Sequence, residues 1–276
     1  MSIALATPAP SAAPALRRVL VAIGWTGLGL IAVAVVLSDF LARAPAGMTN
    51  AGPLLAAPSM EFPFGTDFLG RDVLSETLHG LSVTVAQASA AAVLAILMGG
   101  LFGFTTAHLP RPVGFVLRWA IGVFAAVPAL LLAILLIGLS AHGYAGIAAG
   151  LAAAPLAFVR AFDHARAASA SPHAEYARAS GISPSTLLRR DLIYEFRNTF
   201  LATAARALAA VTIILSTVSF LGFGAAPPHR DLGLMIAAAR ASYLFAWWTA
   251  AFPALALLIV ILLARLAAGL DEGERA

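Results

Sequence analysis

The sequence predicts an all-α protein that crosses a membrane with about six helices. Of its 276 residues, 61% are hydrophobic and only 11% are charged, and its mean hydropathy is +0.92. Soluble domains average about 45–50% apolar and about 25% charged residues, so this composition indicates a membrane protein. The apolar residues form long stretches, each near the roughly 20 residues that a helix needs to cross a bilayer core.

The apolar stretches give the order of the predicted spans. They lie at residues 19–41, 82–107, 115–139, 144–162, 199–222 and 247–270. The first stretch is longer than the apolar region of about 7–15 residues in a signal peptide, so we predict a membrane anchor. Residues 1–18 form a Pro- and Ala-rich tail that we predict to be disordered, and residues 271–276 form a short C-terminal tail.

Arginines are concentrated on one side of these predicted spans. If the N-terminus is cytoplasmic, the arginines left on the outer side are Arg43, Arg71, Arg230 and Arg240. Cytoplasmic loops of membrane proteins carry an excess of Lys and Arg, so the distribution favours cytoplasmic N- and C-termini. Residues 42–81 are then an extracytoplasmic segment, and residues 163–198 form a cytoplasmic loop.

Two missing residue types exclude several kinds of chemistry. The chain contains no cysteine, which excludes disulfides, thiolate metal sites and cysteine nucleophiles. It also contains no lysine, which excludes a Walker A phosphate loop and Schiff-base chemistry, so any ATP that drives this protein is bound by another chain. Histidines such as His108, His142, His173 and His229 are scattered over different loops, so we predict no metal site.

Two polar segments flank the predicted spans on the outer side. In residues 62–80, FPFGTDFLGRDVLSETLHG, Gly65 predicts a turn and Thr66 or Asp67 can cap a helix. Asp67 and Arg71 have i,i+4 spacing, and a capped surface helix at the membrane entrance is one interpretation. Residues 224–245 open with a Pro-Pro stop and continue as a short apolar segment that we expect to lie against the bundle.

The polar stretch 171–191, SPHAEYARASGISPSTLLRRD, predicts two helices with a break between them. Gly181 can adopt the positive φ that ends a short helix. Ser183 and Pro184 suit the N-cap and the first position of the helix that follows. The small Ala177 would permit close approach of a partner, and Glu175 would offer it a charge. A solvated connector between two spans is the alternative interpretation.

Two long motifs carry a family resemblance. The residues GTDFLGRDVLS resemble the GTDxxGRDxxSR signature of permease subunits in peptide/nickel ABC importers, and of the dipeptide/oligopeptide C-type permeases in particular. The matching residues are Gly65, Thr66, Asp67, Gly70, Arg71, Asp72 and Ser75. The residues after the fifth span resemble the SFLGLGxxPPxxxWGxMxxxAR run of the same family. They match at Ser219, Phe220, Leu221, Gly222, Gly224, Pro227, Pro228, Gly233 and Arg240.

The polar stretch is similar to the EAAxxxG loop of these permeases, whose short helix docks on the ATPase subunit. The resemblance assigns ATPase coupling to Glu175, Tyr176, Ala177, Arg178, Gly181, Ser183, Pro184, Arg189 and Arg190. The chain departs from the family pattern after this loop, where it has Asp191, Ile193 and Tyr194-Glu195 in place of the usual His, Leu and Pro-Asn. Glu76 likewise stands where the family usually has an arginine.

The resemblance implies a type I ABC importer permease fold in a bacterial cytoplasmic (inner) membrane. Residues 82–270 would form the permease domain, which would provide a path for di- or oligopeptides by alternating access and catalyse no reaction. The implied partners are a homologous permease in a heterodimer, two ABC ATPase subunits that bind ATP and Mg, and an extracytoplasmic solute-binding protein. Membrane lipid is also expected to contact the chain, and nucleic acid is not.

Other functions stay open at this point. The same family includes permeases for nickel or metallophore chelates, and a structural membrane subunit outside the ABC class is a more distant alternative. A secondary transporter would normally hold Asp, Glu or His deep in a span, and the predicted span centres lack them. Ser140 and His142 are too close in sequence to share a helix face as a catalytic dyad. Arg206, within the fifth span, either snorkels to the cytoplasmic face or lines the path.

Overall fold

The computed structural model describes residues 13–139, 145–170, 176, 179–224 and 230–269. In these ranges the chain is helical without any β-strand, and a single isolated bridge pairs Thr66 with Asp72. The predicted all-α, polytopic class is therefore confirmed. The helices are α1 (Ala13–Val36), α2 (Ser38–Leu41), α3 (Val73–Ala95), α4 (Phe102–Ala107), α5 (Arg111–Ala126), α6 (Ala129–Leu139), α7 (Ala145–Ser169), α8 (Pro184–Val218), α9 (Leu232–Ala238) and α10 (Trp248–Ala268).

The third predicted span, residues 115–139, is not one helix. Five helical stretches of the described chain are long and apolar enough to cross a membrane. Helices α5 and α6 meet the same criteria only as a pair, and the pair is bent by 88°. Pro128 lies at the bend, where it lacks an N–H and pushes the preceding residue out of the helical region. Val127 accordingly has φ −73° and ψ 130°. The expectation of one continuous helix over residues 115–139 is therefore wrong; these residues form a bent pair of helices, which we call the broken span.

The first helix starts earlier than the sequence pattern suggested. Helix α1 begins at Ala13, so residues 13–18 of the predicted disordered tail are helical, and that part of the prediction is wrong. Pro14 lies in the first turn, where the N–H that proline lacks would have no intrahelical acceptor. Residues 1–12 and 270–276 lie outside the described chain, and so do the remaining predictions for the two tails.

Helix α8 joins two elements that the sequence analysis separated. The helix predicted to begin at Pro184 and the span predicted at 199–222 form one continuous helix of 35 residues. At 1.5 Å per residue it is about 52 Å long, and a bilayer core is only about 30 Å thick. Its apolar part begins at Leu201, so residues 184–200 continue the same helix beyond the part that is apolar enough to cross a membrane.

Helix α7 lies at the centre of the bundle, in contact with α3, α4, α5, α6 and α8. Small side chains fill its interface with α3, where Ala91, Ala149 and Ala152 are almost completely buried. Farther along, a side-chain carbon on Gly99 would collide with the backbone of Ala154, and one on Gly103 would collide with that of Phe158. Glycines spaced by four residues permit such close helix contacts in membranes.

Helices α1 and α10 pack against each other at the edge of the bundle, and α10 also contacts α8 and α3. Many large apolar side chains on the outer surface of the bundle are exposed, including Leu30 on α1, Trp119 on α5 and Leu258 on α10. An apolar surface of this extent suits contact with lipid chains rather than with water.

Candidate functional site

The first family motif lies at one end of the bundle, which we call the signature end, where α3 begins and α8 finishes. Gly65 makes the predicted turn, with φ of +73° and its N–H donating to the carbonyl of Phe62 at 2.8 Å. Thr66 is fully buried, and its hydroxyl accepts from the N–H of Ala56 at 2.8 Å. The Trp248 indole donates to the Thr66 carbonyl at 3.1 Å. The motif thus ties the segment before α3 to the start of α10.

Asp67 and Arg71 do not form the i,i+4 pair of a surface helix. The Asp67 carboxylate accepts from the backbone N–H groups of Leu69 and Arg71 at 2.7 and 2.9 Å. The backbone of Asp67 also donates to the carbonyl of Arg71 at 3.0 Å, next to the bridge between Thr66 and Asp72. Local bonds from an Asp side chain to the backbone compete with helix formation and favour a tight turn. Neither Thr66 nor Asp67 is therefore a helix cap, and both of those expectations are wrong.

The cap of α3 is Asp72, the next acidic residue of the motif. Its carboxylate accepts from the backbone N–H of Ser75 at 3.2 Å and from the Ser75 hydroxyl at 2.6 Å. The Ser75 oxygen in turn accepts from the backbone N–H groups of Arg43 and Ala44 at 2.9 and 3.1 Å. Side chains at the start of α3 therefore hold a segment that lies about thirty residues earlier in the chain.

Glu76 and Gly70 complete the same scaffold. One oxygen of Glu76 accepts from the N–H of Gly47 at 2.7 Å, and the other lies 3.8 Å from the Arg71 guanidinium. Gly70 has φ of +67°, and a Cβ there would lie 2.5 Å from the Gly52 carbonyl oxygen. A side chain at this position would therefore be strained by its backbone conformation and by its neighbour. The glutamate that replaces the usual family arginine is a structural acceptor in this chain.

The second motif ends α8 and begins α9. A π-helical turn, Ser219–Phe223, contains Gly222 at φ +101°. Asp231 caps α9 by accepting from Leu234 N–H at 3.0 Å, and the N–H of Leu232 donates to the Thr84 hydroxyl at 2.9 Å. Helix α9 packs on α10 and α3, which confirms the predicted apolar segment against the bundle.

Several other residues of this motif also make close contacts. A Cβ on Gly224 would lie 2.6 Å from a carboxylate oxygen of Asp231, and one on Gly233 would lie 2.8 Å from Cβ of Ser219. The guanidinium of Arg240 lies over the Phe220 ring, 4.9 Å from its centroid. Leu221 is exposed at the surface of the turn. Pro227 and Pro228 lie outside the described residues.

The predicted coupling segment is described in part. Glu175, Ala177 and Arg178 lie outside the described residues, as do the side chains of Pro184, Arg189 and Arg190. Tyr176 is 75% exposed, and its carbonyl accepts from the N–H of Ser180 at 3.0 Å, as in one helical turn. Gly181 has φ of +80°, which confirms the predicted glycine stop.

The second predicted helix begins immediately after this stop. Ser183 is the N-cap of α8, its hydroxyl accepting from the N–H of Thr186 at 3.3 Å, and Pro184 is the first helical residue, as predicted. Tyr176, Gly181 and Ser183 are all exposed. The exposed turn therefore leads directly into the long helix α8 without a flexible linker.

An ion pair and a hydrogen bond join the helices that lie next to the coupling segment. Arg118 on α5 makes two bonds to the Asp163 carboxylate on α7, at 3.0 and 2.8 Å. Arg166, also on α7, donates to the carbonyl of Ala107 at the end of α4. These contacts were not predicted, although Asp163 lies directly after the predicted fourth span. They fix the broken span and the α4–α5 corner to the helix that precedes the coupling segment.

Arg206 lies in α8 and is half-buried, and its guanidinium donates to the Thr203 hydroxyl at 3.3 Å. This contact is to a residue of the same helix. Both predicted roles of Arg206, snorkelling to the cytoplasmic face and lining the path, stay predictions.

Comparison with known proteins identifies the family to which the chain belongs. Residues 91–270 match the family of binding-protein-dependent transport system inner membrane components. The glutathione transport system permease protein GsiD of Pectobacterium atrosepticum is 28% identical, over 89% of this chain and 82% of its own length. GsiD of Escherichia coli O1:K1 is 30% identical, over 74% of this chain and 68% of its own. The di/tripeptide transport system permease protein DppC of Pseudomonas aeruginosa is 28% identical, over 73% and 67%.

The family match covers both halves of the bundle, from the end of α3 through α10, and includes the coupling segment and the second motif. The apolar helices agree with the multi-pass, inner-membrane location that the family name states. The chain belongs to the binding-protein-dependent transport system inner membrane component family, the permease subunits of ABC importers.

Proposed function

We propose that this chain is a permease subunit of an ABC importer for peptides. The observation that supports the substrate class is the set of relatives named for di- and tripeptides and for glutathione, which is itself a tripeptide. These names favour peptides over the nickel or metallophore chelates that the sequence motifs alone leave open. The coverage of most of this chain supports carrying over the transport role of the relatives, and not only the fold.

The proposed complex contains more chains than this one. A homologous permease would complete the path in a heterodimer, two ATPase subunits would bind ATP and Mg, and a solute-binding protein would deliver the peptide from outside. The absence of lysine from this chain supports the assignment of nucleotide binding to the partners, because the phosphate loop of such ATPases needs a lysine. This chain would bind and move the substrate without a reaction of its own.

The proposed mechanism is alternating access driven through the coupling segment. Movement of the ATPases would displace the exposed turn around Gly181, and the continuous helix α8 would carry this displacement to the π-helical turn at its other end. The ion pair between Arg118 and Asp163 would move the broken span together with α7. The two states must lie within a few kcal/mol of each other for partner binding to shift their populations.

The proposed orientation places the coupling segment in the cytoplasm and the signature end outside. We expect Ser59→Cys in intact cells to react with a membrane-impermeant thiol reagent, and Ser183→Cys to react only after the cells are opened. Both serines are exposed, and the native chain has no cysteine, so the two single-cysteine variants form a matched pair. Labelling of Ser183→Cys in intact cells would show that the orientation is the reverse.

Uptake by a strain that lacks this gene tests the proposed substrate class. We expect the deletion to abolish accumulation of a labelled dipeptide, and a plasmid copy of the gene to restore it, while uptake of nickel ions stays at the parental rate. A deletion that removes nickel uptake and leaves peptide uptake intact would instead support the chelate permeases of the same family.

A further inference from the structure

The short loop before α10 turns its large apolar side chains outward. We call residues 243–247, YLFAW, the aromatic loop. Its exposed side chains are Tyr243, Leu244 at 75%, Phe245 at 79% and Trp247. The small residues Ser242 and Ala246 are buried instead. A loop that faces water normally has the opposite arrangement, so this one indicates an apolar or interfacial environment.

The aromatic loop lies at the end of a helix that by itself spans a bilayer core. The span formed by α10 has 21 residues and is therefore about 32 Å long, against about 30 Å for the core. Its first residue, Trp248, follows the loop directly. The sequence has no charged residue between Arg240 and Arg265. The loop therefore lies at the depth where the hydrocarbon core meets the lipid headgroups.

Helix α1 marks the same boundary independently. A Cβ on Gly24 would collide with the backbone of Ala267, and one on Gly27 would collide with the Leu263 side chain, so α1 runs antiparallel to α10. The end of α1 therefore lies near the first turns of α10. The first charged residue after α1 is Asp39, and its side chain is exposed. Charged side chains avoid the hydrocarbon core, so the core ends close to this level.

The backbone of the aromatic loop is suited to a place outside bulk water. The N–H groups of Phe245 and Ala246 both donate to the carbonyl of Ser242, at 3.0 and 2.8 Å. Such internal bonds lower the cost of taking peptide groups out of water. The Trp247 ring lies 6.1 Å from that of Phe252, one turn into α10. The loop is thus a tight turn held against the start of the span.

We propose that the aromatic loop inserts into the lipid interface at the signature end and fixes the depth of α10 in the membrane. Indole and phenol groups favour this interface because each joins an apolar ring to a polar group, and Trp247 and Tyr243 supply one of each. Leu244 and Phe245 would reach the adjoining acyl chains. A docking site for a binding protein would leave these side chains in water whenever that protein is absent. The inference depends neither on the proposed substrate nor on the proposed orientation.

Collisional quenching of a fluorescent label measures the depth of the loop. The label is attached to Phe245→Cys in the full chain, which has no native cysteine, in nanodiscs of phosphatidylethanolamine and phosphatidylglycerol. The quenchers are iodide in the water, and lipids that carry a spin label either near the headgroup or near the end of the acyl chain. Ser59→Cys, exposed at the same end of the bundle, is the water control. Leu258→Cys, exposed in the middle of α10, is the acyl-chain control.

We expect labelled Phe245→Cys to lose most of its fluorescence to the lipid with the label near the headgroup, and little to iodide or to the deep label. Leu258→Cys should respond mainly to the deep label, and Ser59→Cys to iodide alone. Leu244→Cys should behave like Phe245→Cys, and it replaces that variant if Phe245→Cys does not fold. Addition of the partner permease and the ATPase subunits should leave the lipid quenching of the loop unchanged.

Iodide quenching of the loop variants that equals that of Ser59→Cys would place the loop in water and overturn the proposal. Strongest quenching by the deep label would also contradict an interfacial position. Lipid quenching that disappears when the partner chains are added would assign the loop to a protein contact instead. Failure of the peptide assignment would alter none of these measurements, so the two proposals can fail separately.

Discussion

Gly181→Val is expected to reduce ATP-driven uptake about tenfold and to leave the amount of permease in the membrane unchanged. Gly181 has φ of +80°, a conformation that costs an L-residue roughly 1–2 kcal/mol, which is equivalent to about a tenfold change in an equilibrium. The residue is exposed, and a Cβ on it would meet nothing within 4 Å, so the change acts on the direction of the chain and not on packing. Uptake and the yield of co-purified ATPase measure the result.

Gly181→Asn is the matched control, because asparagine tolerates positive φ better than a β-branched residue. It should retain most of the uptake that Gly181→Val loses. Glu175→Arg reverses the charge that the family resemblance assigns to the ATPase contact, and it should weaken co-purification as well. Wild-type transport by Gly181→Val and Glu175→Arg, with the ATPases still bound, would show that this stretch is only a connector between two spans.

Gly99→Ala should destabilise the folded permease by about 1–3 kcal/mol, the usual cost of overpacking a well-packed site. The added methyl group would collide with the backbone carbonyl of Ala154 on α7, which cannot rotate away as a flexible side chain can. Separation of the two helices would also disturb the neighbouring contact between Gly103 and Phe158. The midpoint of thermal unfolding of the purified protein in detergent measures the effect.

Gly100→Ala, one residue along the same helical segment, is the control. A Cβ on Gly100 would meet only the Ile96 side chain, at 3.7 Å, which is an ordinary contact. Alanine also has a higher helix propensity than glycine, so Gly100→Ala should be neutral or stabilising. Equal unfolding midpoints for Gly99→Ala and Gly100→Ala would contradict the close backbone contact of Gly99 with α7.

The sequence was sufficient to predict the class of fold and the order of its spans, because apolar stretches of membrane length leave few alternatives. The bend between α5 and α6 was not predicted, although Pro128 is present in the pattern. A proline alone does not determine whether a helix ends, since Pro155 and Pro253 lie inside α7 and α10 without ending them. In a membrane bundle, neighbouring groups can compensate for the hydrogen bond that a proline removes.

The local signals around the coupling segment were predicted more reliably. The positive φ of Gly181 and the cap at Ser183 depend on residues close in sequence, and both are confirmed. At the signature end, the choice of Asp72 as the cap over Thr66 or Asp67 depends on a tight turn and on distant contacts. Thr66 meets Trp248, which lies 182 residues away, and no local pattern shows this.

The close contact of Gly99 and Gly103 with α7 could have been predicted from the sequence. Gly99 and Gly103 are spaced by four residues within an apolar span, which is typical of close helix contacts in membranes.

Reconstituted transport tests the central claim most directly. This chain, its homologous permease and the two ATPase subunits are incorporated into vesicles, and uptake of a labelled dipeptide is followed with and without ATP and the binding protein. We expect uptake only when ATP and the binding protein are both present, and none when this chain is omitted. Uptake driven by a proton gradient without ATP, or undiminished uptake without this chain, would contradict its assignment as a permease subunit of an ABC importer for peptides.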